Sequence, residues 1–232
     1  MGPEEWAIVL LSLKVSAVAM AGAAPVAFGC AWLLARSRMP GRMLLDAAVH
    51  LPLVLPPVVM GWLLLLAFGT QGWAGRWLAA AGITLIFRWT GAALASAVMA
   101  LPLMVRAMRL SLEAVDTRLE AAARTLGATR ARVFATITLP LAMPGVLAGL
   151  VLGFARSLGE FGATITFVSN IPGETQTLPL AIYAALQVPG SEPAVTRLAL
   201  VSVGLSVAAL VVSELLARRM GAEGRKGWAG GV

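Results

Sequence analysis

Long apolar runs occupy most of the chain, and polar residues are largely confined to the stretches between them. Five of these runs are near or above the roughly 20 residues that a helix needs to cross a bilayer. They lie at about residues 8–35, 48–68, 90–112, 137–158 and 197–217. The pattern therefore predicts an all-α membrane protein with about five transmembrane helices and with its termini on opposite sides of the membrane.

A charged segment, residues 120–140, lies between the third and fourth runs and reads EAAARTLGATRARVFATITLP. Thr117 and Glu120 have the T-x-x-E spacing of a capping box, in which each side chain satisfies a free backbone N–H of the other residue. This spacing predicts a helix that begins near Thr117. Gly127 is expected to end that helix, because glycine readily adopts the left-handed backbone found after helix ends.

A second short helix is predicted directly after the glycine. Thr129 can cap it, and Arg130 and Arg132 are expected to stay solvated. Two short helices that meet at a glycine would form a projecting knob, which favours a surface for a soluble partner. The alternative is a plain solvated hairpin between two spans.

Composition supports a membrane class independently of the runs. Hydrophobic residues make up 59% of the chain and charged residues 12%, and the mean hydropathy is +0.86. These values exclude an ordinary soluble domain. The formal net charge of +7 reflects arginines at the ends of the spans, without a lysine-rich or aromatic-interleaved patch, so a nucleic-acid partner is not expected.

The distribution of basic residues predicts the orientation, because cytoplasmic flanks are enriched in lysine and arginine. One set of flanks, residues 36–42, 106–132 and 218–226, holds most of the arginines, whereas the opposite set is more acidic. The N-terminus is therefore expected outside, and the 120–140 segment and the C-terminus inside. Residues 219–232 are glycine-rich and are expected to form a disordered cytoplasmic tail after a single domain of residues 1–218.

Two features inside the apolar runs are candidates for a transport pathway. Pro56 and Pro57 remove backbone donors and should bend the second span, either to let a pathway open or as a packing kink. Arg156 and Glu160 lie four residues apart on one helical face, which predicts an ion pair that serves as a gate or simply joins helices. Residues 175–187 are too apolar for a plain loop and predict a short helix.

Several other chemistries find little support in the sequence. His50 is the sole histidine and stands near one acid, Asp46, which is too few groups for a metal site. Cys30 is the sole cysteine, so an intramolecular disulfide is excluded. The chain contains no phosphate-binding G-x-x-x-x-G-K-[ST] loop, so if transport is active, another polypeptide must hydrolyse the nucleotide. No cofactor and no metal are expected.

The spacing from Gly127 to Ile137, followed by Leu139 and Pro140, resembles the loop signature of the permease subunits of ATP-binding-cassette (ABC) importers. The resemblance implies that residues 117–132 form a coupling helix seated in a groove of the ATPase subunit. The implied coupling residues are Glu120, Ala121, Ala122, Ala123, Gly127, Arg130, Ile137 and Pro140. The usual acidic residue of this signature lies six positions before the glycine, whereas Glu120 lies seven before it.

A closer resemblance extends over about residues 8–218 and is carried by strings such as HLPLVLPPVVMGW, ARTLGATRARVF and ARSLGEFGATITFVSNIPGET. These resemble the permease subunits of bacterial molybdate ABC importers; sulfate and tungstate permeases are similar around LGEFGA. The resemblance implies a type I ABC importer permease fold in the inner membrane, and import by alternating access. It also implies a homodimer, two copies of a separate ATPase and a periplasmic oxyanion-binding protein.

Two other functional classes are kept as alternatives. A secondary transporter or channel would place ionisable groups at mid-bilayer and often shows inverted repeats, which this sequence lacks. Copurification of an ATPase would separate that class from an importer permease. A membrane-embedded enzyme would need a catalytic cluster, for which one histidine and one cysteine give little basis.

Overall fold

The computed structural model describes residues 1–37 and 39–229, and within its last helix it describes side chains up to Val212 and at Leu215. Its helices are α1 (Pro3–Arg36), α2 (Arg42–Val54), α3 (Pro57–Phe68), α4 (Trp73–Ala80), α5 (Trp89–Ala114), α6 (Thr117–Thr125), α7 (Arg130–Val133), α8 (Leu139–Leu158), α9 (Gly162–Val168), α10 (Leu178–Leu186) and α11 (Glu192–Ala229). A π-helical turn, Phe134–Thr138, joins α7 to α8. The side chains of residues 219–229, and residues 230–232 entirely, lie outside this description, so the disordered tail stays a prediction.

The predicted spans correspond closely to the observed helices. Four helical stretches among the described residues are long and apolar enough to cross a membrane: Pro3–Arg36, Trp89–Ala114, Arg130–Leu158 and Glu192–Val212. The pair α2 and α3 qualifies as a fifth, but its two helices are bent by 118° at the break between them. The prediction of about five spans is confirmed, and the bend expected from Pro56 and Pro57 is present as this break in the second span.

The break between α2 and α3 has a local cause. Leu55 and Pro56 adopt extended backbone conformations, and neither Pro56 nor Pro57 carries an N–H that could continue the hydrogen-bond ladder. The following helix packs closely against α9, because a Cβ placed on Gly61 would lie 2.6 Å from the carbonyl oxygen of Ala163. The prolines and this glycine together direct α3 across α9.

Small residues allow α1, α5 and α8 to approach one another at the centre of the molecule. Ala27 and Ala31 of α1 and Ala95 of α5 are completely buried. A Cβ on Gly153 of α8 would lie 2.7 Å from side-chain atoms of Met104. Such close packing compensates for the weak hydrophobic drive between helices that are surrounded by lipid.

The apolar stretch after the fourth span contains the predicted short helix, which is confirmed as α10 with a start at Leu178 in place of residue 175. The hydroxyl oxygen of Ser12 accepts the backbone N–H of Leu178 at 2.7 Å and donates to the carbonyl of Ile8. This contact fixes the start of α10 to the first half of α1.

Candidate functional site

The 117–140 segment begins with α6, which starts at Thr117 as predicted but with a different cap. The carboxylate of Asp116 accepts the backbone N–H of Arg118 at 2.8 Å, so Asp116 is the N-cap and Thr117 is the first helical residue. The predicted capping box between Thr117 and Glu120 is therefore wrong. Asp116 takes this position because a carboxylate is at least as good a cap as a threonine hydroxyl.

Gly127 ends α6 as predicted. Its φ of +86° lies in the left-handed region, its N–H donates to the carbonyl of Arg124, and the N–H of Ala128 donates to the carbonyl of Ala123. These two bonds are the Schellman pattern that closes many helices. A Cβ at Gly127 would meet nothing within 4 Å, so the glycine is required by backbone conformation and not by crowding.

The helix after Gly127, α7, is not a separate short helix. The hydroxyl of Thr129 caps it by accepting the N–H of Arg132 at 3.3 Å, and Arg130 and Arg132 are exposed, as predicted. However, α7 continues through the π-helical turn into α8 as one stretch, Arg130–Leu158. The segment therefore consists of α6 and a glycine turn attached directly to the end of a span.

The outer face of α6 is exposed to solvent. No residue of α6 is buried. Leu119 is 50% and Leu126 is 88% exposed, and Ala121 and Ala122 are also exposed. A short amphipathic helix that shows leucines and alanines outward, with Arg124 and Arg130 beside them, has the character of a protein-docking surface.

Glu120 faces the opposite way. Its Oε1 accepts from Nη2 of Arg36, the last residue of α1, at 3.0 Å and from the hydroxyl of Thr138 at 2.7 Å. Only 18% of the Glu120 side chain and 16% of the Arg36 side chain are exposed. The carboxylate therefore joins α6 to two transmembrane elements.

The π-helical turn was not predicted from the sequence. Phe134 at its start lies against Phe28 and Trp32 of α1, with ring centroids 6.1 and 5.1 Å away. Ile137 within it is half-buried, and Pro140 at the start of α8 is exposed. A π-helical turn contains one extra residue and often marks a functional site. This turn is in contact with α6.

The predicted pair of Arg156 and Glu160 is present. Nη1 of Arg156 lies 2.7 Å from Oε2 of Glu160, whose side chain is 1% exposed. The other carboxylate oxygen, Oε1, accepts the backbone N–H of Ala163 in the first turn of α9 at 3.0 Å. Pro57, also predicted as a pathway residue, lies beside this turn, since a Cβ on Gly162 would be 2.7 Å from its Cβ. Three of the four candidate pathway residues thus meet at one junction, and Pro56 precedes it.

A second charged cluster joins α2 to α5. Nη1 of Arg109 lies 3.0 Å from Oδ1 of Asp46, and its Nε donates to Glu113 at 2.8 Å. Nδ1 of His50 lies 2.9 Å from the carbonyl oxygen of Asp46. His50 is thus placed in a structural contact between neighbouring turns of α2.

Known proteins resemble this chain in sequence and in fold. A family model described as "Binding-protein-dependent transport system inner membrane component" matches residues 24–222. The molybdenum transport system permease protein ModB of Escherichia coli strain K12 is 60% identical over 218 residues, which cover 92% of this chain and 94% of that protein. ModB of Haemophilus influenzae is 59% identical over 90% of this chain and 92% of that protein.

One further relative is less similar in sequence, and two solved structures are similar in fold. The sulfate transport system permease protein CysT of Escherichia coli is 41% identical over 82% of this chain and 69% of that protein. Among solved structures, the MetNI methionine ABC transporter in inward-facing conformations has a TM-score of 0.74 at 17% identity and covers 95% of this chain and 99% of the matched chain. A bacterial alginate ABC transporter has a TM-score of 0.75 at 17% identity, over 95% of this chain and 80% of the matched chain.

The fold is thus that of type I ABC importer permeases, and the expectation from the resemblance is confirmed. The chain is a transport subunit, because the family that it matches and its relatives are membrane components of transport systems. The chain belongs to the inner membrane components of binding-protein-dependent transport systems, the permease subunits of ABC importers.

Proposed function

We propose that this permease carries molybdate across the inner membrane as part of an ATP-driven importer. The observation that carries the choice of anion is the 60% identity to the molybdenum permease ModB over 92% of the chain. The sulfate permease CysT is less similar, at 41%. The active complex is proposed to contain two copies of this chain, two copies of a cytoplasmic ATPase and a periplasmic protein that binds the oxyanion.

The coupling segment, defined as residues 117–132, is proposed to bind the ATPase through its outer face. Leu119, Leu126 and the alanines at 121 and 122 supply apolar surface there, and Arg124 and Arg130 supply positive charge. A partner groove with acidic groups at its edge would complement this face. Ala123, Gly127, Ile137 and Pro140 would set the position of α6, through helix closure at the glycine and through its connection to α8.

The proposed transport mechanism is alternating access. When ATP draws the two ATPase subunits together, both coupling segments move with them, and the attached spans turn toward the outside to receive the anion. Arg156, Glu160, Pro56 and Pro57 are proposed to belong to the pathway or its gate, because the first two and Pro57 lie at the junction of α3 and α9 and Pro56 directly precedes it. The domain is proposed to end near residue 218.

Uptake by the reconstituted complex tests the proposal. The chain, its ATPase and its binding protein are placed in proteoliposomes, and radiolabelled molybdate accumulation is followed with and without ATP. We expect ATP-dependent accumulation that a tenfold excess of sulfate leaves unchanged, and loss of both accumulation and copurified ATPase when residues 117–132 are replaced by a glycine and serine linker. Accumulation without ATPase would favour a secondary transporter, and preferred sulfate accumulation would overturn the choice of anion.

A further inference from the structure

The contacts of Glu120 differ from those expected for an acidic residue on an exposed coupling helix. Arg124 lies four residues later on the same helix, at the spacing that most often gives a surface ion pair. Glu120 instead pairs with Arg36, at the end of a helix that is 84 residues away in sequence. The pairing with Arg36 directs the carboxylate into the protein and away from the surface proposed to bind the ATPase.

The Arg36–Glu120 contact ties together the ends of several elements. Nη2 of Arg36 also lies 3.5 Å from the carbonyl oxygen of Val115, directly after the end of α5. Thr138, which donates to the same carboxylate oxygen, is the last residue of the π-helical turn and is 1% exposed. One carboxylate thus contacts the ends of α1 and of the π-helical turn, while its arginine partner reaches the end of α5.

Glu120 provides the counter-charge for the partly buried guanidinium of Arg36. Its Nε is buried and has no hydrogen-bond partner among the described residues, and Glu120 is its ion-pair partner there. A largely buried guanidinium is strongly destabilising once its counter-charge is removed. The pair should therefore stay closed while α6 moves.

A second set of contacts connects the same two elements. Phe134, at the other end of the π-helical turn, packs against both Phe28 and Trp32 of α1, with 6.1 and 5.1 Å between ring centroids. Aromatic contacts of this kind add to the stability given by burial alone. The turn is therefore held to α1 at both of its ends, by rings at Phe134 and by the charged pair near Thr138.

We infer that Glu120 is a positioning residue that transmits movement of the coupling segment to the last turn of α1. In this inference α1 moves together with α6 and the start of α8, because the Arg36–Glu120–Thr138 contacts join all three. The inference rests on the proposed function only in taking α6 as the element that the ATPase moves.

The test compares uptake with ATP hydrolysis in the same proteoliposomes of the full complex. Glu120→Gln keeps the shape of the side chain and removes its charge, and Arg36→Gln removes the partner. We expect both variants to recover ATPase in the pull-down and to hydrolyse ATP, but to import about tenfold less molybdate per ATP. The exchanged pair Glu120→Arg with Arg36→Glu re-forms the ion pair and should restore most of the ratio.

Glu113→Gln is the matched control, because Glu113 also pairs with an arginine, Arg109, but at a more exposed site, with 38% of the Glu113 side chain accessible. The ratio of uptake to hydrolysis in Glu113→Gln should match that of the unmodified chain. An unchanged ratio in Glu120→Gln, or no recovery in the exchanged pair, would overturn the inference. If Glu120→Gln does not reach the membrane, Thr138→Val removes only the hydroxyl and should lower the ratio severalfold, and a normal ratio there would equally overturn it. Absence of ATP-dependent molybdate uptake in the unmodified complex would instead reject the proposed function.

Discussion

Glu160 is a carboxylate buried at the junction of α8 and α9, where an uncompensated charge would be costly. It is held by Arg156 and by the backbone N–H of Ala163. Replacement by alanine removes both contacts and is expected to lower the free energy of unfolding by about 1–3 kcal/mol. We also expect Glu160→Ala to reduce molybdate uptake much more than Glu192→Ala, since Glu192 is an exposed residue at the start of α11.

Two measurements distinguish the effect of the Glu160 contacts on stability from their effect on transport. Thermal unfolding in detergent measures stability, and proteoliposome uptake measures transport. Glu160→Gln retains an oxygen for the N–H of Ala163 but loses the charge facing Arg156, so it should recover part of the stability and little of the uptake. Equal uptake by the alanine variants at positions 160 and 192 would remove Glu160 from the proposed pathway.

The predictability of these residues depends on how far apart their partners lie in sequence. The pair of Arg156 and Glu160 could be predicted because four residues in a helix bring two side chains to one face. The pair of Arg36 and Glu120 could not, since its partners meet only after α1, α5 and α6 have packed. The cap of α6 was misassigned by one residue because Asp116 and Thr117 are adjacent and both residue types make good caps.

At the scale of elements, the turn at Gly127 sets the direction in which α6 leaves the membrane. Gly127→Pro would force φ from +86° to about −65° and remove the N–H that closes the helix. We expect this variant to insert normally and to retain ATP hydrolysis, but to lose most ATP-coupled uptake. Gly127→Asn is the matched control, because asparagine tolerates the left-handed conformation and its side chain has open space around it. Uptake in the proline variant equal to that of the unmodified chain would contradict a coupling role for this turn.

Hydropathy identified the spans but not their shape. Residues 48–68 are continuously apolar, so the run alone gives no sign of a 118° break, although the prolines within it do indicate a bend. The connection of α7 to α8 was missed for a related reason. The cap at Thr129 is visible in the sequence, whereas a π-helical turn over Phe134–Thr138 depends on packing against Phe28 and Trp32 and has no local sequence pattern.

At the scale of the whole molecule, charged contacts mark two opposite ends. Arg36, Asp46, Arg109 and Glu120 pair at one end, whereas Glu5 near the N-terminus pairs with Arg197 of α11 at 2.7 Å at the other. Many large apolar side chains remain exposed between these ends, including Leu10, Val26, Trp62 and Leu200. Lipid and a second copy of the chain are the proposed environment of this surface.

The absolute orientation of these ends is the last prediction. The arginine-rich end that carries the coupling segment is expected to face the cytoplasm, because basic flanks are retained there. In a Cys30→Ser background the chain has no other cysteine, so a single new cysteine reports one position. Glu192→Cys and Arg132→Cys are suitable because both residues are exposed and lie at opposite ends. With a membrane-impermeant maleimide, Glu192→Cys should react in right-side-out vesicles and Arg132→Cys in inside-out vesicles prepared without the ATPase.

Because Glu5 and Arg197 are in contact, labelling near the start of α11 also reports the side of the N-terminus. The opposite pattern would place the coupling segment outside, where no ATPase could reach it, and would reject the importer arrangement as a whole.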